Sequence, residues 1–160
     1  MPDAQPLHDT TKARAVAARQ ELMQICARAT EAELTAALDV LEPRPEAIDV
    51  RPAEIGLVML RGRIGGSGAA FNVGEATVTR AAVRLSTGET GFSYLLGRAK
   101  TRARLAAILE AVGQRPAYRR SIVQHLVRPV AERLANERRS MLDEAAATRV
   151  EFFTLVRGED

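Results

Sequence analysis

A glycine-rich segment flanked by arginines is the part of the sequence best suited to binding an anion. Five of the eleven glycines fall between Gly62 and Gly74. Glycine permits positive φ and close approach of a ligand to the backbone, and consecutive backbone amides in such a loop can form an anion-binding nest. Arginine adds a planar fork that pairs with phosphate or carboxylate. The candidate anion-binding residues are Arg61, Arg63, Gly65, Gly66, Gly68, Arg80 and Arg84.

The flanking arginines have two interpretations. On a strand, the two members of each pair share a face, and Arg80 and Arg84 lie roughly 13 Å apart. If the two strands are neighbours, both pairs line one surface that suits a polyphosphate or a carboxylate-rich partner. In the alternative, the segment is a glycine-rich hairpin whose arginines pair with Glu54 and Glu75.

The other chemistry-bearing residues form no recognisable catalytic or metal-binding pattern. His8, Cys26 and His125 stand far apart, so a zinc site of histidine and cysteine within one chain is not expected. Ser67 lies between two glycines, but no histidine is near it in sequence to activate it. The sequence has no P-loop, no G-x-G-x-x-G fingerprint and no G-x-S-x-G elbow. We therefore predict no catalytic residue and no metal site in this chain.

An aromatic pair near the C-terminus predicts a docking edge. Strand alternation places one ring of Phe152 and Phe153 inside and the other outside. An exposed aromatic strand near a chain end is a natural surface for another subunit. The alternative is a strand that returns to its own sheet. Phe71 and Asn72, beside the glycine-rich segment, complete the candidate docking residues.

Length and composition predict one globular domain. The chain has 160 residues, of which 46% are hydrophobic, and a domain of this size can bury a self-sufficient core. The single cysteine gives no disulfide, residues 1–10 carry no secretory pattern, and no stretch approaches the ~18 apolar residues of a membrane helix. We expect a soluble cytoplasmic protein with one domain over residues 1–160, of which 1–9 form a mobile tail.

The positive charge is concentrated in the middle of the chain. The net charge is +3, and residues 44–104 contain ten basic and five acidic residues. Nucleic acid is not the expected partner, because the charge is modest and Phe71, Phe92 and Tyr94 are too scattered to form a stacking platform.

Hydrophobic periodicity predicts helices on both sides of a group of strands. A capping box of Thr30 and Glu33 begins the second helix, and Gly113 is expected to cap the third. Pro129 is expected to break or kink the fourth. The predicted helices are about 10–29, 30–41, 100–112, 116–129 and 130–147.

The predicted strands form an antiparallel meander and a separate C-terminal strand. The run 55–63 is almost continuously apolar, which is typical of a strand covered on both faces. Pro52 interrupts the sequence before it, and Thr87-Gly88-Glu89 predicts a turn. The predicted strands are 47–51, 55–63, 77–85, 92–96 and 149–157. The expected fold is therefore α+β, with N-terminal helices, a central antiparallel β-meander, C-terminal helices and a final strand.

Three stretches of this sequence resemble the PhnG family. They are EIGLVMLRGRIGGSGAAFNVGEATVTRAAVRL at 54–85, GFSYLLGR at 91–98 and RVEFFTLVRG at 149–158. Their order and spread over most of the chain make the match specific. Two positions just after the second stretch depart from it: the family commonly has Asp and His where this chain has Ala99 and Arg102. In the first helix, the family often has a Trp-Met pair where this chain has Leu22 and Met23.

The resemblance implies a subunit of the bacterial carbon–phosphorus lyase core complex. Its expected partners are PhnI above all, with PhnH and PhnJ, and PhnK and PhnL in the larger assembly. The implied activity is that of a multi-subunit transferase, alpha-D-ribose 1-methylphosphonate 5-triphosphate synthase, in which an alkylphosphonate displaces adenine from the ribose C1 of ATP. ATP and the alkylphosphonate are substrates of the complex, and no cofactor is expected on this chain alone.

The resemblance leaves two roles open for this subunit. In the first, it is a scaffold that docks through its glycine-rich segment and C-terminal strand. In the second, its arginines also bind the triphosphate or the phosphonate.

Overall fold

Helices and strands follow one another in the order expected of an α+β fold. The structure, a computed structural model, describes residues 6–65 and 68–147. The helices are α1 (Pro6–Arg28), α2 (Glu31–Asp39), α3 (Lys100–Gly113), α4 (Pro116–Ile122), a π-helical turn (Val123–Val127) and α5 (Arg128–Ala147). The strands are β1 (Ala47–Gly62), β2 (Phe71–Leu85) and β3 (Thr90–Leu96). The predicted final strand at 149–157 lies outside the described residues.

The three strands form one antiparallel sheet in the order β1-β2-β3. Alternate residues of β2 from Thr79 to Leu85 are buried and face the helices, with α3 lying directly on the sheet. The turn predicted at 87–89 is confirmed, with Gly88 at φ 105° and its N–H donated to the Leu85 carbonyl. The core lies between this part of the sheet and the helices, where Leu34, Leu41, Leu95, Leu109, Leu126 and Val130 are fully buried.

Glycine lets β3 approach α3 at backbone contact. A Cβ on Gly91 would lie 2.0 Å from the carbonyl oxygen of Ala107 and 2.7 Å from the amide nitrogen of Ala111. The same face of α3 carries alanines, so the helix lies closer to the sheet than larger side chains would allow.

A buried carboxylate joins α1, α3 and the start of β3. The Glu110 side chain is wholly buried, and it accepts hydrogen bonds from the Arg19 guanidinium and, at 3.0 Å, from the Phe92 backbone N–H. The Gln114 amide also donates to the Thr90 carbonyl at 2.8 Å. Because β3 is an edge strand, its outer backbone groups have no strand partner. This network gives hydrogen-bond partners to two of them, the Phe92 N–H and the Thr90 carbonyl.

Several predicted boundaries are wrong in informative ways. Helix α1 begins at Pro6, so residues 6–9 belong to it. Strand β1 continues through Pro52, with one register shift before it, between Asp49 and Arg51, and one that spans it, between Arg51 and Glu54. Strand β2 begins at Phe71, six residues before the predicted start. The helix continues through Pro129. The π-helical turn that ends two residues before it widens the helix, which makes room for the proline ring and its missing N–H.

Gly113 has a different role from the predicted one. It is the last residue of α3 and does not have positive φ, so it is not a left-handed cap. A Cβ there would lie 2.1 Å from Cδ2 of Leu22, which places the glycine where α1 crosses α3. The capping box on α2, by contrast, is confirmed: the Thr30 hydroxyl accepts from the Glu33 amide, and Glu33 accepts from the Thr30 amide.

Candidate docking surface

The hairpin of β1 and β2 extends well beyond the helices. Strand β1 has 16 residues and α3 has 14, which correspond to about 50 Å of strand and about 21 Å of helix. The core cluster of the described residues takes no member from residues 55–77. We call this distal part of the hairpin, residues 55–65 and 68–77, the arm.

Both faces of the arm expose apolar side chains. Residues that lie directly opposite in an antiparallel pair share a face, so Leu57 opposite Thr77 and Met59 opposite Glu75 lie on the side that carries α3 further along. Leu60, opposite Gly74, lies on the other side. Their exposed fractions are 63% for Leu57, 55% for Met59 and 45% for Leu60. The prediction that 55–63 is covered on both faces is therefore wrong for this chain.

The apolar surface continues onto the open face of the sheet. This face lies opposite the helices, and Phe92, Tyr94 and Leu96 of β3 project from it with exposures of 48, 55 and 72%. Ile48 of β1 is 69% exposed at the far corner. Large exposed apolar patches mark interaction surfaces, among them surfaces for another protein. We call the arm and this open face together the docking surface.

The predicted docking residues are placed at the outer end of the arm where they are described. Phe71 lies opposite Gly62 and is 43% exposed, and Asn72 lies opposite Arg61. Phe152 and Phe153 lie outside the described residues.

The four arginines predicted to bind an anion, Arg61, Arg63, Arg80 and Arg84, do not lie together in the structure. Arg61 lies seven residues along β1 from Glu54, the residue opposite Arg80, which is about 23 Å of strand. Arg63 follows the end of β1. Arg84 lies on the open face, opposite Ile48 and Thr90.

Arg80 has a carboxylate partner on the open face. Its Nε donates to Glu54 at 2.7 Å, and its Nη1 lies 3.3 Å from the Tyr94 hydroxyl. The hydrogen bonds to Tyr94 and Glu54 raise the pKa of Arg80. The pairing of Arg80 with Glu54 is one that the hairpin interpretation predicted, whereas Glu75 has no ion pair with any described residue.

The glycines shape the turn at the end of the arm. Gly65 has φ 65°, and a Cβ on Gly68 would lie 2.7 Å from the Ile64 carbonyl oxygen. The Gly68 amide donates to that same carbonyl at 3.3 Å. Gly66 lies outside the described residues. Gly65 and Gly68 therefore have a local structural reason that is independent of any ligand.

The two family departures lie at the start of α3. Ala99 is the N-cap residue and supplies no side-chain cap, while its N–H donates to the buried Thr79 hydroxyl at 3.0 Å. The Nε of Arg102 is buried without a hydrogen-bond partner in the described part of the chain.

Neither a metal cluster nor a membrane span is found where the structure describes the chain. Residues 6–65 and 68–147 contain no group of three His, Cys, Asp or Glu side chains that could hold a metal ion. None of the described helices is long and apolar enough to cross a bilayer. Burial raises the pKa of the Cys26 thiol to about 12, so the thiol is not poised to react.

Sequence reasoning missed the exposure of the arm. The predicted strand 77–85 begins six residues after the observed start of β2, so the sequence did not indicate how far the hairpin would extend beyond the helices. The continuous apolar run at 55–63 is compatible with burial by the chain itself or by another chain, and the strand lengths decide between them.

The fold and the surface define an α+β protein with a projecting apolar hairpin. A family model described as "Phosphonate metabolism protein PhnG" matches residues 17–158. A protein of Rhizobium meliloti (strain 1021), named "Alpha-D-ribose 1-methylphosphonate 5-triphosphate synthase subunit PhnG", is 57% identical over 145 residues, covering 91% of this chain and 92% of that protein. The chain belongs to the PhnG family.

Proposed function

We propose that this chain is a subunit of an alpha-D-ribose 1-methylphosphonate 5-triphosphate synthase in phosphonate catabolism, and that it docks through the arm. The family and the relative's name support the enzyme. The observation that carries the docking role is the arm itself, with apolar side chains on both faces and no part in the core.

The proposed assembly is the one implied by the family resemblance. PhnI is the main partner, PhnH and PhnJ are further partners in the core, and PhnK and PhnL join the larger assembly. In the proposed reaction an alkylphosphonate displaces adenine from the ribose C1 of ATP. This chain contributes a surface to that assembly, and the reacting groups belong to its partners.

Physical chemistry supports docking by an exposed hairpin. A two-stranded ribbon is at most marginally stable alone in water, so a partner on both faces stabilises it. Full burial of a Leu or Met side chain contributes about 1.5–3 kcal/mol. The arm offers several such side chains within a few residues of one another, which is how interface hot spots are arranged.

Co-purification with paired apolar variants tests the proposal. The tagged chain is recovered from its own host grown on a phosphonate as sole phosphorus source. We expect PhnH, PhnI and PhnJ to be recovered with it, and we expect Leu57→Ser with Met59→Ser to reduce that recovery at least tenfold. The matched control is Met141→Ser with Leu142→Ser, because those α5 side chains are 68 and 59% exposed.

The outcomes separate the two surfaces. Loss with the arm variant and retention with the control support docking by the arm. Retention with the arm variant, or loss only with the control, contradicts it. A wild-type chain recovered without these partners contradicts the assignment to the assembly.

A second proposal concerns ligand binding by the arginines of the open face. The Arg84 side chain is exposed and makes no ion pair or hydrogen bond with the rest of the described chain, whereas the Arg80 side chain is paired with Glu54. Arg84→Ala tests it, with Arg14→Ala as an exposed control. Lost turnover in an intact assembly supports contact of Arg84 with the triphosphate or phosphonate. Unchanged turnover contradicts it.

A further inference from the structure

A second basic surface lies among the helices, away from the arm. Residues 111–131 contain no Asp or Glu. They cover α4, the π-helical turn and the beginning of α5, which run on without a break. Arg119, Arg120 and Arg128 lie in this stretch, and all three are exposed.

The three arginines border one depression. It has a volume of about 570 Å³ and no acidic residue in its lining, and ligand sites commonly have about 300–1,000 Å³. It is lined by Pro116, Arg119, Arg120, Val123, Gln124 and Arg128.

The π-helical turn aligns two of these arginines. In a regular α-helix, residues eight apart point about 80° away from each other. The π turn over Val123–Val127 takes in one additional residue, so Arg120 and Arg128 behave as if seven apart. Seven residues make two turns and leave only about 20° between the directions. The two side chains therefore lie on the same face of the helix, about 11 Å apart along the axis.

The guanidinium groups in this depression lack partners inside the described chain. The side chains of Arg119, Arg120 and Arg128 make no ion pair or hydrogen bond with residues 13–65 or 68–147. Arg133, further along α5, pairs with Glu33 and Glu137. Arg115, just before α4, pairs with Glu89 and lies over the Tyr118 ring. Of the five arginines between residues 111 and 137, the three of the depression are thus the ones left available to an external anion.

We propose that Arg119, Arg120 and Arg128 form a polyphosphate-binding cleft. Each guanidinium can take two oxygens of a phosphoryl group. Two turns of helix separate the outer pair, which suits a chain of linked phosphoryl groups better than a single phosphate. The polyphosphate is either inorganic or part of a nucleotide. A nucleotide is included because a neighbouring, mostly apolar cavity of about 530 Å³ also borders Arg119 and Val123 and offers space for a base.

Binding of sodium tripolyphosphate and of ATP to the full chain tests the cleft. Titration calorimetry is run at constant ionic strength, with sodium sulfate as the reference anion. We expect saturable binding of at least one of the two polyphosphates, weaker binding of sulfate, and a fall in affinity as salt rises. The variant with Arg119, Arg120 and Arg128 all changed to Gln is expected to lose at least tenfold in affinity.

A charge-matched variant separates a site from general attraction. Arg14, Arg28 and Arg138 are exposed and do not line the depression, so changing all three to Gln removes the same net charge. That variant is expected to bind within about twofold of the wild type. Equal losses in the two triple variants overturn the proposal. Neither triple variant changes a residue of the arm, so the result for the cleft is independent of the result for docking.

An acidic protein segment is the competing occupant. A poly-glutamate peptide is titrated in parallel. Binding of this peptide in an arginine-dependent way, without binding of either polyphosphate, overturns the proposal and makes the depression a protein-docking face. If the free chain does not remain soluble, tripolyphosphate is titrated into the co-purified assembly, and the difference between the two triple variants decides, because the substrate site for ATP is the same in both.

Discussion

A single carboxylate, Glu33, links the start of α2 to α5. Its side chain accepts a hydrogen bond from the Thr30 backbone N–H at 2.7 Å within the capping box. It also accepts two hydrogen bonds from the Arg133 guanidinium, at 2.8 Å and 3.0 Å. The Arg133 hydrogen bonds are the main cause that lowers the pKa of Glu33, to about 2. One side chain therefore combines a local cap with a long-range ion pair.

Glu33 is expected to contribute acid-sensitive stability. Its folded-state pKa is depressed, so the contribution is present above the unfolded pKa of 4.5 and is lost as pH falls towards about 2. Glu33→Gln keeps a capping side chain but removes the charge. We expect the free energy of unfolding of the wild type to fall more steeply with acid over this window than that of the variant, by urea denaturation.

The neighbouring Glu31 gives the control for this experiment. It is exposed in the first turn of α2 and its side chain makes no ion pair with other described residues. Glu31→Gln should therefore keep the wild-type pH dependence. Identical slopes for the wild type and Glu33→Gln would show that the ion pair adds nothing to stability.

At the scale of elements, β3 and α3 lie at backbone contact. Gly91 lies against the α3 backbone, and backbone atoms cannot move aside as side-chain ends can. Gly91→Ala is expected to destabilise the chain by about 3 kcal/mol, as overpacking in a core does. Urea denaturation measures the change.

Gly56 gives the matched control for this contact. It is also a strand glycine, but a Cβ there would meet nothing within 4 Å. Gly56→Ala should leave stability unchanged or raise it by up to about 1 kcal/mol, because Gly costs entropy in a strand. Equal effects of the two substitutions would mean that the close approach of β3 and α3 does not limit stability.

The order of elements was predictable, whereas the length of the hairpin was not. The change from helical to alternating periodicity located the sheet, and the Thr30–Glu33 pattern located α2. Residues 71–76 contain Asn and Gly, which favour loops, and they become strand only because β1 pairs with them. Long-range pairing of this kind leaves no local signal.

Two arginine arrangements, one on the open face and one in the cleft, could not be predicted from the sequence for a related reason. Arg80 was visible as a candidate, but its partner Glu54 was one of two carboxylates in range, and only the register selects it. The alignment of Arg120 with Arg128 depends on the π-helical turn, which ordinary helical periodicity does not predict. The acid-free stretch 111–131 was the available signal for that cleft.

For the whole molecule, the core and the arm are separate parts of the chain. The described core lies between the helices and the sheet from Thr79 to Leu85, and the arm projects beyond it. A hydrophobic surface held outside the core is a liability for the free chain, because exposed apolar strands promote association. This arrangement predicts that the arm can be removed without unfolding the rest.

Excision of the distal arm tests this separation. Val58 and Ala76 lie directly opposite each other, so residues 59–75 can be replaced by Asn-Gly, the preferred two-residue hairpin turn. We expect the shortened chain to melt within about 4 °C of the parent, equivalent to about 1 kcal/mol, because no described core residue is removed. It should also associate less in sedimentation experiments and recover no partner from the host. A shortened chain that unfolds would place the arm within the cooperative core, and one that keeps its partners would show that docking uses another surface.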